Sequence, residues 1–559
     1  MRPAPRRCSL FPGAGPQGRP GRGTVRRQRG SVWYAIGVGR ILLGTLLLLF
    51  GSLNRAAAQP PSPQPLPPTG DPVLDGIYYG AYPPGGKGRP VLVFVHGLGG
   101  LAQDWWSDIG QGGVNDMYLT AYTAGYRTAF VDLNGGVRHP AADMWTNGER
   151  LSRQIAAIVS VYGVDRVDLV THSKGGVDAQ AAVVYYGAAS RVRRIITLAA
   201  PHWGAELADL LYTDWGRWLG GLLGLQDAAT FSMQTGYMRL FRRLTDRRPE
   251  NQIVSYHTGA GTDCCPEGSF LTLTGTYLSR FGPNDGIVTV ASAQLPGAQT
   301  LFIEPFNHDS IRRGAVFPWI ESALQGASTA SSSSRLLPLA RPRRPPAPPS
   351  LGTIIRGGPI AGRTRTAFPI ETGARRLEVT LLLSRPITAT LRSPGGQTLA
   401  LGDPLAVDAG LWRGAWVATA SLPAQSGWWT LDLAATAPAA YLALVTVDSP
   451  LQVSLAALPE SATPGQPVWL QARVAASTGP TRLASLTLRS SHNGRPRPPL
   501  HLPTTETSVV LATEPGIVTL GLTLAGWTGD GSPFERSLVR SVAVLPTDDP
   551  ASALQRLSR

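Results

Sequence analysis

One stretch of the chain constrains its fold more than any other: residues 167–179, with the sequence Val-Asp-Leu-Val-Thr-His-Ser-Lys-Gly-Gly-Val-Asp-Ala. The first five residues form a short apolar run of the kind found in buried parallel strands. Beyond Ser173, apolar residues recur at helical spacing, so a helix is predicted to begin just after the serine. A strand, a tight turn and a helix in this order raise the serine above the sheet, at the positive end of the helix. The pattern therefore predicts that Ser173 is a nucleophile.

The turn departs from the usual G-x-S-x-G pattern, because Thr171 stands where the first glycine is expected. A small residue at this position still allows the helix to pack closely on the strand. The alternative interpretation is a surface serine in an ordinary βα turn. Motifs elsewhere in the chain argue against that alternative.

A second motif follows an apolar strand predicted at residues 91–95, where the chain reads His-Gly-Leu-Gly-Gly from His96. Loops of this type contribute a backbone N–H that binds the oxyanion of a reaction intermediate, together with the N–H of the residue after the nucleophile. By position, these two donors are Leu98 and Lys174. His96 itself is interpreted as a packing and hydrogen-bonding residue.

Strands and helices alternate around these motifs. Further apolar strands are predicted at residues 128–132 and 194–199, and helices at residues 114–124 and 151–159. Such alternation predicts an α/β fold with a doubly wound, mostly parallel sheet.

Candidate partners for Ser173 lie in two later loops. Asp285 lies in a turn rich in glycine and asparagine, and His308 lies between a strand predicted at residues 300–304 and the last helix. Their order along the chain, serine then acid then histidine, is that of the α/β-hydrolases. A competing histidine, His202, precedes the acid and is given a supporting role at most.

Residues 206–243 are predicted to be mostly helical, with a broad apolar stripe. The stripe has two interpretations: a face that packs into the core, or a lid that covers an active site and moves at a lipid surface. Its members are Leu207, Leu211, Trp218, Leu222 and Leu225.

The segment that follows holds two adjacent cysteines, Cys264 and Cys265, in a loop. A disulfide between these neighbours is favoured over a metal site, because no Cys/His cluster of suitable spacing is near. Residues 271–277 are predicted to form a strand.

Five segments in the same order resemble the secreted bacterial true lipases and their esterase relatives. These segments are residues 95–98, 172–176, 200–204, 284–288 and 307–309. The resemblance covers residues 88–325 and implies an α/β-hydrolase that hydrolyses triacylglycerols or other carboxylesters. The catalytic domain is accordingly placed at residues 73–325. It also implies that Ser173, Asp285 and His308 are the catalytic residues.

Some members of that family hold a structural Ca²⁺ near the catalytic histidine. Here Asp309 is the nearby acidic residue, and no second acidic ligand is matched. A structural Ca²⁺ therefore stays an open alternative, and no metal or other cofactor is assigned.

The N-terminal 58 residues read as a secretory signal, with a basic segment, an apolar run at residues 41–50 and small residues at 56–58 before a cleavage site. An uncleaved anchor that leaves the protein facing outside is the alternative. Residues 59–72 are rich in proline, which predicts an irregular spacer.

The C-terminal part differs in composition and in sequence pattern. Residues 326–352 are rich in serine, proline and arginine and predict a disordered linker. Short strands separated by glycine and proline turns then predict two β-sandwich modules, at residues 353–450 and, Ig-like, at residues 451–547. They hold no candidate catalytic set, so they are interpreted as modules that stabilise, space or contact a surface or polymer.

The formal net charge of +15 is concentrated outside the predicted domains, since fourteen arginines and no acidic residue lie at residues 1–58 and 325–352. Nucleic-acid binding needs a basic face on a folded domain and is excluded. The sequence predicts a secreted serine carboxylester hydrolase, a lipase or esterase, that acts on an ester or lipid. Two alternatives stay open: an extracellular polyhydroxyalkanoate depolymerase, and a non-catalytic cell-surface binding protein on a hydrolase scaffold.

Overall fold

The structure is a computed structural model that describes residues 59–86, 88–109, 113–264, 271–326, 351–407, 412, 414–456, 458–476, 479–503 and 506–546. The predicted signal at residues 1–58 and nearly all of the predicted linker lie outside these ranges. None of the helices within them is long and apolar enough to cross a membrane.

A central sheet of eight strands organises the N-terminal half. The strands are β1 (Gln64–Pro65), β2 (Ile77–Tyr79), β3 (Val91–Val95), β4 (Arg127–Val131), β5 (Val167–His172), β6 (Val192–Leu198), β7 (Ser255–Gly261) and β8 (Gln299–Glu304). Their spatial order is β1-β2-β4-β3-β5-β6-β7-β8. The pairs β1–β2 and β2–β4 are antiparallel, and all neighbours from β4 to β8 are parallel.

Helices cover both faces of this sheet. They are α1 (Met117–Thr123), α2 (Met144–Tyr162), α3 (Lys174–Tyr185), α4 (Glu206–Leu211), α5 (Arg217–Leu222), α6 (Ala228–Ser232), α7 (Thr235–Thr245), α8 (Leu271–Ser279), α9 (Val290–Ala293) and α10 (Phe317–Gln325). α2 and α3 share one apolar core with the sheet, and α1 and α10 share another. β3 is buried along its whole length because both of its faces are covered. The predicted doubly wound, mostly parallel α/β sheet is confirmed.

The helix that leads into β5 has clear signals at both ends. The side chain of Asp143 accepts hydrogen bonds from the backbone N–H groups of Trp145 and Thr146, at 3.1 and 3.0 Å, and so caps the start of α2. Gly163 ends the helix in the left-handed region, with φ of 60°.

The prediction of a strand at residues 271–277 is wrong, because this segment is the helix α8. Its alternation of leucine and threonine imitates the two-residue period of a strand. In the helix, the hydroxyls of Thr276 and Ser279 donate to the carbonyls of Thr272 and Gly275, both at 2.8 Å, and need no other partner.

The prediction of an irregular spacer at residues 59–72 is wrong in one place, because the segment contains the short strand β1. Gln64 and Pro65 pair with Tyr79 and Tyr78 at the edge of the sheet. Proline is tolerated there because an edge strand leaves one side without ladder partners.

The C-terminal part consists of four sheets. Residues 351–448 form β9 (Leu351–Ile360), β10 (Arg363–Ile370), β11 (Arg376–Leu383), β12 (Thr388–Arg392), β13 (Thr398–Ala400), β14 (Leu405–Ala406), β15 (Trp416–Pro423), β16 (Gly427–Ala434) and β17 (Ala439–Asp448). Residues 452–544 form β18 (Gln452–Ala456), β19 (Ser461–Ala462), β20 (Pro467–Ala475), β21 (Arg482–His492), β22 (Arg495–Pro496), β23 (Leu500–Leu502), β24 (Glu506–Val510), β25 (Gly516–Trp527) and β26 (Pro533–Val544). In each group two sheets enclose one apolar core. The linker was predicted to extend to residue 352, but β9 already begins at Leu351.

The segment from α4 to α7 lies over the sheet and contacts the C-terminal modules; we call residues 206–245 the cap. Leu211 and Leu219 of the cap belong to the same buried cluster as Ile355 of β9 and Leu442 of β17. Ser491 of β21 donates to the carbonyl of Tyr212 at 2.6 Å. Most of the apolar stripe is thus core between the cap and the modules. Two of its members are exposed instead, Trp218 by 40 % and Leu222 by 61 %.

Candidate active site

The turn after β5 holds Ser173 in a strained conformation. Its φ and ψ are 52° and −132°, a region that residues with a Cβ rarely adopt. Glycines allow the close approach around it: a Cβ on Gly97 would lie 2.8 Å from the Ser173 Cβ, and one on Gly175 would meet the carbonyl oxygen of His96. Thr171, which replaces the first glycine of the pattern, turns its hydroxyl to the Ile196 carbonyl on β6 at 3.2 Å. The departure is therefore accommodated within the sheet.

Asp285 and His308 lie together. The Nδ1 atom of His308 is 2.7 Å from Oδ2 of Asp285. The other oxygen of Asp285 accepts from the backbone N–H groups of Ile287 and Val288, at 2.9 and 2.7 Å, which fixes the direction of the carboxylate. A carboxylate that accepts at Nδ1 leaves Nε2 of the imidazole as the atom free to act as a base.

All three predicted catalytic residues are largely buried, with Ser173 8 %, His308 9 % and Asp285 1 % exposed. Ser173 and His308 line one pocket at the carboxyl ends of the strands, and the predicted oxyanion donors Leu98 and Lys174 line it as well. The sequence-predicted residues are therefore brought together at one place.

His96 supports the loop that carries Leu98. Its Nε2 atom accepts from the Leu133 backbone N–H at 3.0 Å, so the proton lies on Nδ1, which is 2.7 Å from the Gly97 carbonyl. This is the packing and hydrogen-bonding role expected from the sequence.

Two sets of side chains line the pocket, and we call them its apolar wall and its charged wall. The apolar wall is formed by Ala205, Ala208, Met233, Leu271, Ile287 and Val288. The charged wall contains Asp104, Arg138, His139, Asp309 and Arg312.

Ion pairs join four of the five groups of the charged wall, whereas His139 contacts Asp227 at 3.1 Å. Arg138 lies 3.0 Å from Asp104, and Arg312 lies 3.0 Å from Asp309 and 3.4 Å from Asp104. Burial alone would raise the pKa of Asp104, but the two guanidinium groups hold it below its ordinary value. Of this wall the sequence singled out only Asp309, because the other members belong to no motif. The available signal was that Asp104 and Arg138 lie in the segments that follow the carboxyl ends of β3 and β4.

The surroundings of His308 do not fit a calcium ion. Asp309, the acidic residue considered for it, is ion-paired with Arg312. In the described part of the chain no group of three His, Cys, Asp or Glu side chains is arranged to hold a metal.

The competing histidine His202 and the cysteine Cys264 do not line the pocket. His202 is completely buried and contacts the hydroxyl of Thr197 at 3.2 Å, and burial lowers its pKa well below the ordinary value. Cys264 is disulfide-bonded, while Cys265 lies outside the described residues.

Comparison with known proteins shows the family of this chain. A family model described as a PGAP1-like alpha/beta domain matches residues 85–213. The crystal structure of Bacillus licheniformis lipase BlEst2 in propeptide form is 30 % identical, with a TM-score of 0.69, over 85 % of this chain and 98 % of that one. This chain is an α/β-hydrolase of the lipase and esterase type.

Two further structures resemble this α/β-hydrolase over about half of its length. The mature form of the same Bacillus lipase is 39 % identical and covers 44 % of this chain and 97 % of its own, with a TM-score of 0.40. The metagenomic carboxyl esterase MGS0156 is 19 % identical and covers 48 % of this chain and 87 % of its own, with a TM-score of 0.34. Comparison with curated protein sequences gave no match.

Proposed function

We propose that this α/β-hydrolase is a serine carboxylester hydrolase that works through an acyl-enzyme. The observation that carries the proposal is the strained Ser173 at the carboxyl edge of the sheet, in one pocket with His308, whose Nδ1 atom is bound to Asp285. A buried serine with a neighbouring histidine and carboxylate is the arrangement that turns an alcohol into a nucleophile.

The arrangement of these residues supports the following steps. Nε2 of His308 takes the proton of Ser173 as Oγ attacks the ester carbonyl carbon. Asp285 holds the tautomer and stabilises the imidazolium that forms. The backbone N–H groups of Leu98 and Lys174 bind the oxyanion, each contributing about 3–4 kcal/mol in comparable sites. The imidazolium then protonates the leaving alcohol, and a water molecule, activated by the same histidine, releases the acid.

The two walls of the pocket suggest how an ester is oriented. The apolar wall suits the acyl chain, because burying methylene groups there is favourable by about 0.8 kcal/mol each. The charged wall suits the more polar alcohol side. An ester or lipid substrate is therefore favoured.

We propose that the protein is exported, on the strength of the predicted signal at residues 1–58. We also propose that it is made as a precursor, because the Bacillus lipase exists in a propeptide form and a mature form, and 98 % of the propeptide form aligns with this chain. The C-terminal modules contribute no described residue to the pocket, and the arginine-rich segment before them is a suitable cleavage site. Mass spectrometry of the protein from the culture medium tests both points.

A fluorophosphonate probe tests the proposed chemistry directly. It should label the wild type at Ser173 and fail to label Ser173→Ala, while the exposed control Ser190→Ala is labelled like the wild type. Absence of labelling in folded wild-type protein would favour the alternative of a non-catalytic binding protein.

A further inference from the structure

One buried histidine of the site has no role in the steps above. His172 is the last residue of β5, directly precedes Ser173 and is only 4 % exposed. Its ring centroid lies 4.6 Å from that of His308. Its Nε2 atom lies 2.9 Å from the backbone carbonyl oxygen of His308.

The partner of this nitrogen determines the tautomer of His172. A carbonyl oxygen only accepts, so Nε2 carries the proton and donates it. The other nitrogen, Nδ1, is buried without a hydrogen-bond partner among the described residues. Within the part of the chain that the structure describes, the contact with His308 is thus the single hydrogen bond of the ring.

The charge of His172 also suits its place. Burial, followed by the nearby His308 and Arg312, lowers the pKa of His172 well below the ordinary value, so the ring is neutral. During the reaction His308 becomes an imidazolium, and a second cation 4.6 Å away would oppose that change.

The loop that carries His308 is held from two sides. On one side Asp285 accepts twice, through its carbonyl from the His308 backbone N–H at 2.9 Å and through its carboxylate from the ring. On the other side His172 donates to the His308 carbonyl. Among the hydrogen bonds of the described residues, this one alone joins the loop to β5, the strand that leads into Ser173.

We propose that His172 is a positioning residue, whose hydrogen bond keeps the loop of the base His308 in register with the turn of the nucleophile Ser173. The inference rests on the proposed serine mechanism and adds to it a link between its two reacting groups. Reacting atoms displaced by about 1 Å can cost 10²-fold in rate, so the loss of the link should lower turnover rather than substrate binding.

Three substitutions separate positioning from packing. In His172→Gln the amide nitrogen reaches about as far as Nε2 and can still donate to the His308 carbonyl. In His172→Asn the same amide is one carbon shorter and does not reach it. His172→Leu keeps the bulk and has no donor, and His202→Asn serves as the control for shortening a buried histidine elsewhere in the domain.

The measurements are kcat and KM on a soluble short-chain ester, the rate of fluorophosphonate labelling, and the melting temperature. The labelling endpoint counts folded sites, so each rate refers to native protein only. We expect His172→Asn and His172→Leu to lose about 10²-fold in kcat and in labelling rate at similar KM, and His172→Gln to stay within about tenfold of the wild type. His202→Asn should lose stability without that selective loss of rate.

Equal rates for the Gln, Asn and Leu variants would overturn the proposal. So would a 10²-fold loss in His172→Gln at an unchanged melting temperature, which remains measurable if the other two variants do not fold. Both results differ from a failure of the serine mechanism itself, in which the wild type would not be labelled.

Discussion

Lys174 and Asp178 form a buried ion pair on the helix that begins directly after Ser173, the proposed nucleophile. The two residues lie one turn apart on α3, with Nζ 2.6 Å from Oδ1, and their side chains are 2 % and 3 % exposed. The second carboxylate oxygen accepts from Asn147 of α2 at 3.0 Å. Burial raises the pKa of Asp178, although Lys174 and Asn147 favour its ionised form. The pair therefore holds the first turn of α3, which contains a proposed oxyanion donor, against α2.

Removing one member of this pair should lower the free energy of unfolding much more than replacing both members. Asp178→Leu leaves an ammonium group buried without its partner, which typically costs 3–5 kcal/mol. Lys174→Met with Asp178→Leu removes both charges and should recover most of that loss. Urea unfolding of the two single variants and the double variant measures the coupling; purely additive losses would show that the pair contributes nothing.

The comparison of His308 with His202 tests the assignment of the base. His308 contacts a carboxylate and lines the pocket, whereas His202 is buried against a threonine hydroxyl. We expect His308→Ala to lose about 10⁴-fold or more in kcat at an unchanged melting temperature. His202→Ala should mainly lower the melting temperature, because it leaves a cavity in the buried interior of the domain. The opposite ranking of the two rates would contradict the assignment.

The sequence predicts the centre of the domain well because the signals there are local and strong. β3 and β5 are apolar runs that end in glycine-rich turns, so position and chemistry are read from a few adjacent residues. The order of Ser173, Asp285 and His308 then suffices to place them at one edge of a parallel sheet.

The sequence does not predict the features that depend on tertiary contacts. α8 has the two-residue period of a strand, and only its packing makes it a helix. The charged wall unites Asp104, Arg138 and Arg312 from three segments that lie far apart in the sequence. The apolar stripe of the cap could not be assigned to core or lid, because the modules that cover it lie more than a hundred residues further along the chain.

Asp209 of α4 gives the protein a specific dependence on pH. Burial raises its pKa from 3.8 to about 7, although the hydroxyl and backbone N–H of Thr235, at 2.7 and 2.9 Å, favour the ionised form. Glu206 adds to the increase and Arg239 opposes it. Between 3.8 and about 7 the folded protein therefore holds a proton that the unfolded chain has released. The contribution of Asp209 to the free energy of unfolding falls as pH rises through this interval and is constant above it.

Asp209→Asn should remove this dependence while keeping both contacts with Thr235. The free energy of unfolding of the variant minus that of the wild type should be near zero at about pH 4. This difference should rise to at most about 4 kcal/mol at about pH 8. The buried histidines contribute a free energy of unfolding that rises with pH, because burial lowers their pKa values. This contribution is the same in both proteins and cancels when the difference is taken at each pH. A flat difference, or one that falls with pH, would show that Asp209 is ionised in the folded protein throughout.

The exposed and buried residues of the cap stripe should behave differently. Leu211 is completely buried in the cluster shared with the C-terminal modules, so Leu211→Ala should cost about 2–5 kcal/mol and lower activity on every ester alike. Trp218 and Leu222 are exposed, so replacing both by serine should change the free energy of unfolding by at most about 1 kcal/mol.

The same double substitution should act on the substrate surface. Exposed apolar side chains gain free energy when they leave water for an ester droplet, and serine gains none. We expect Trp218→Ser with Leu222→Ser to lower hydrolysis of emulsified esters several-fold and to leave hydrolysis of a dissolved short-chain ester unchanged. If the double variant hydrolysed both substrates as fast as the wild type, these side chains would not contact the droplet. The protein would then act as an esterase whose cap is held shut by the modules rather than opened at a lipid surface.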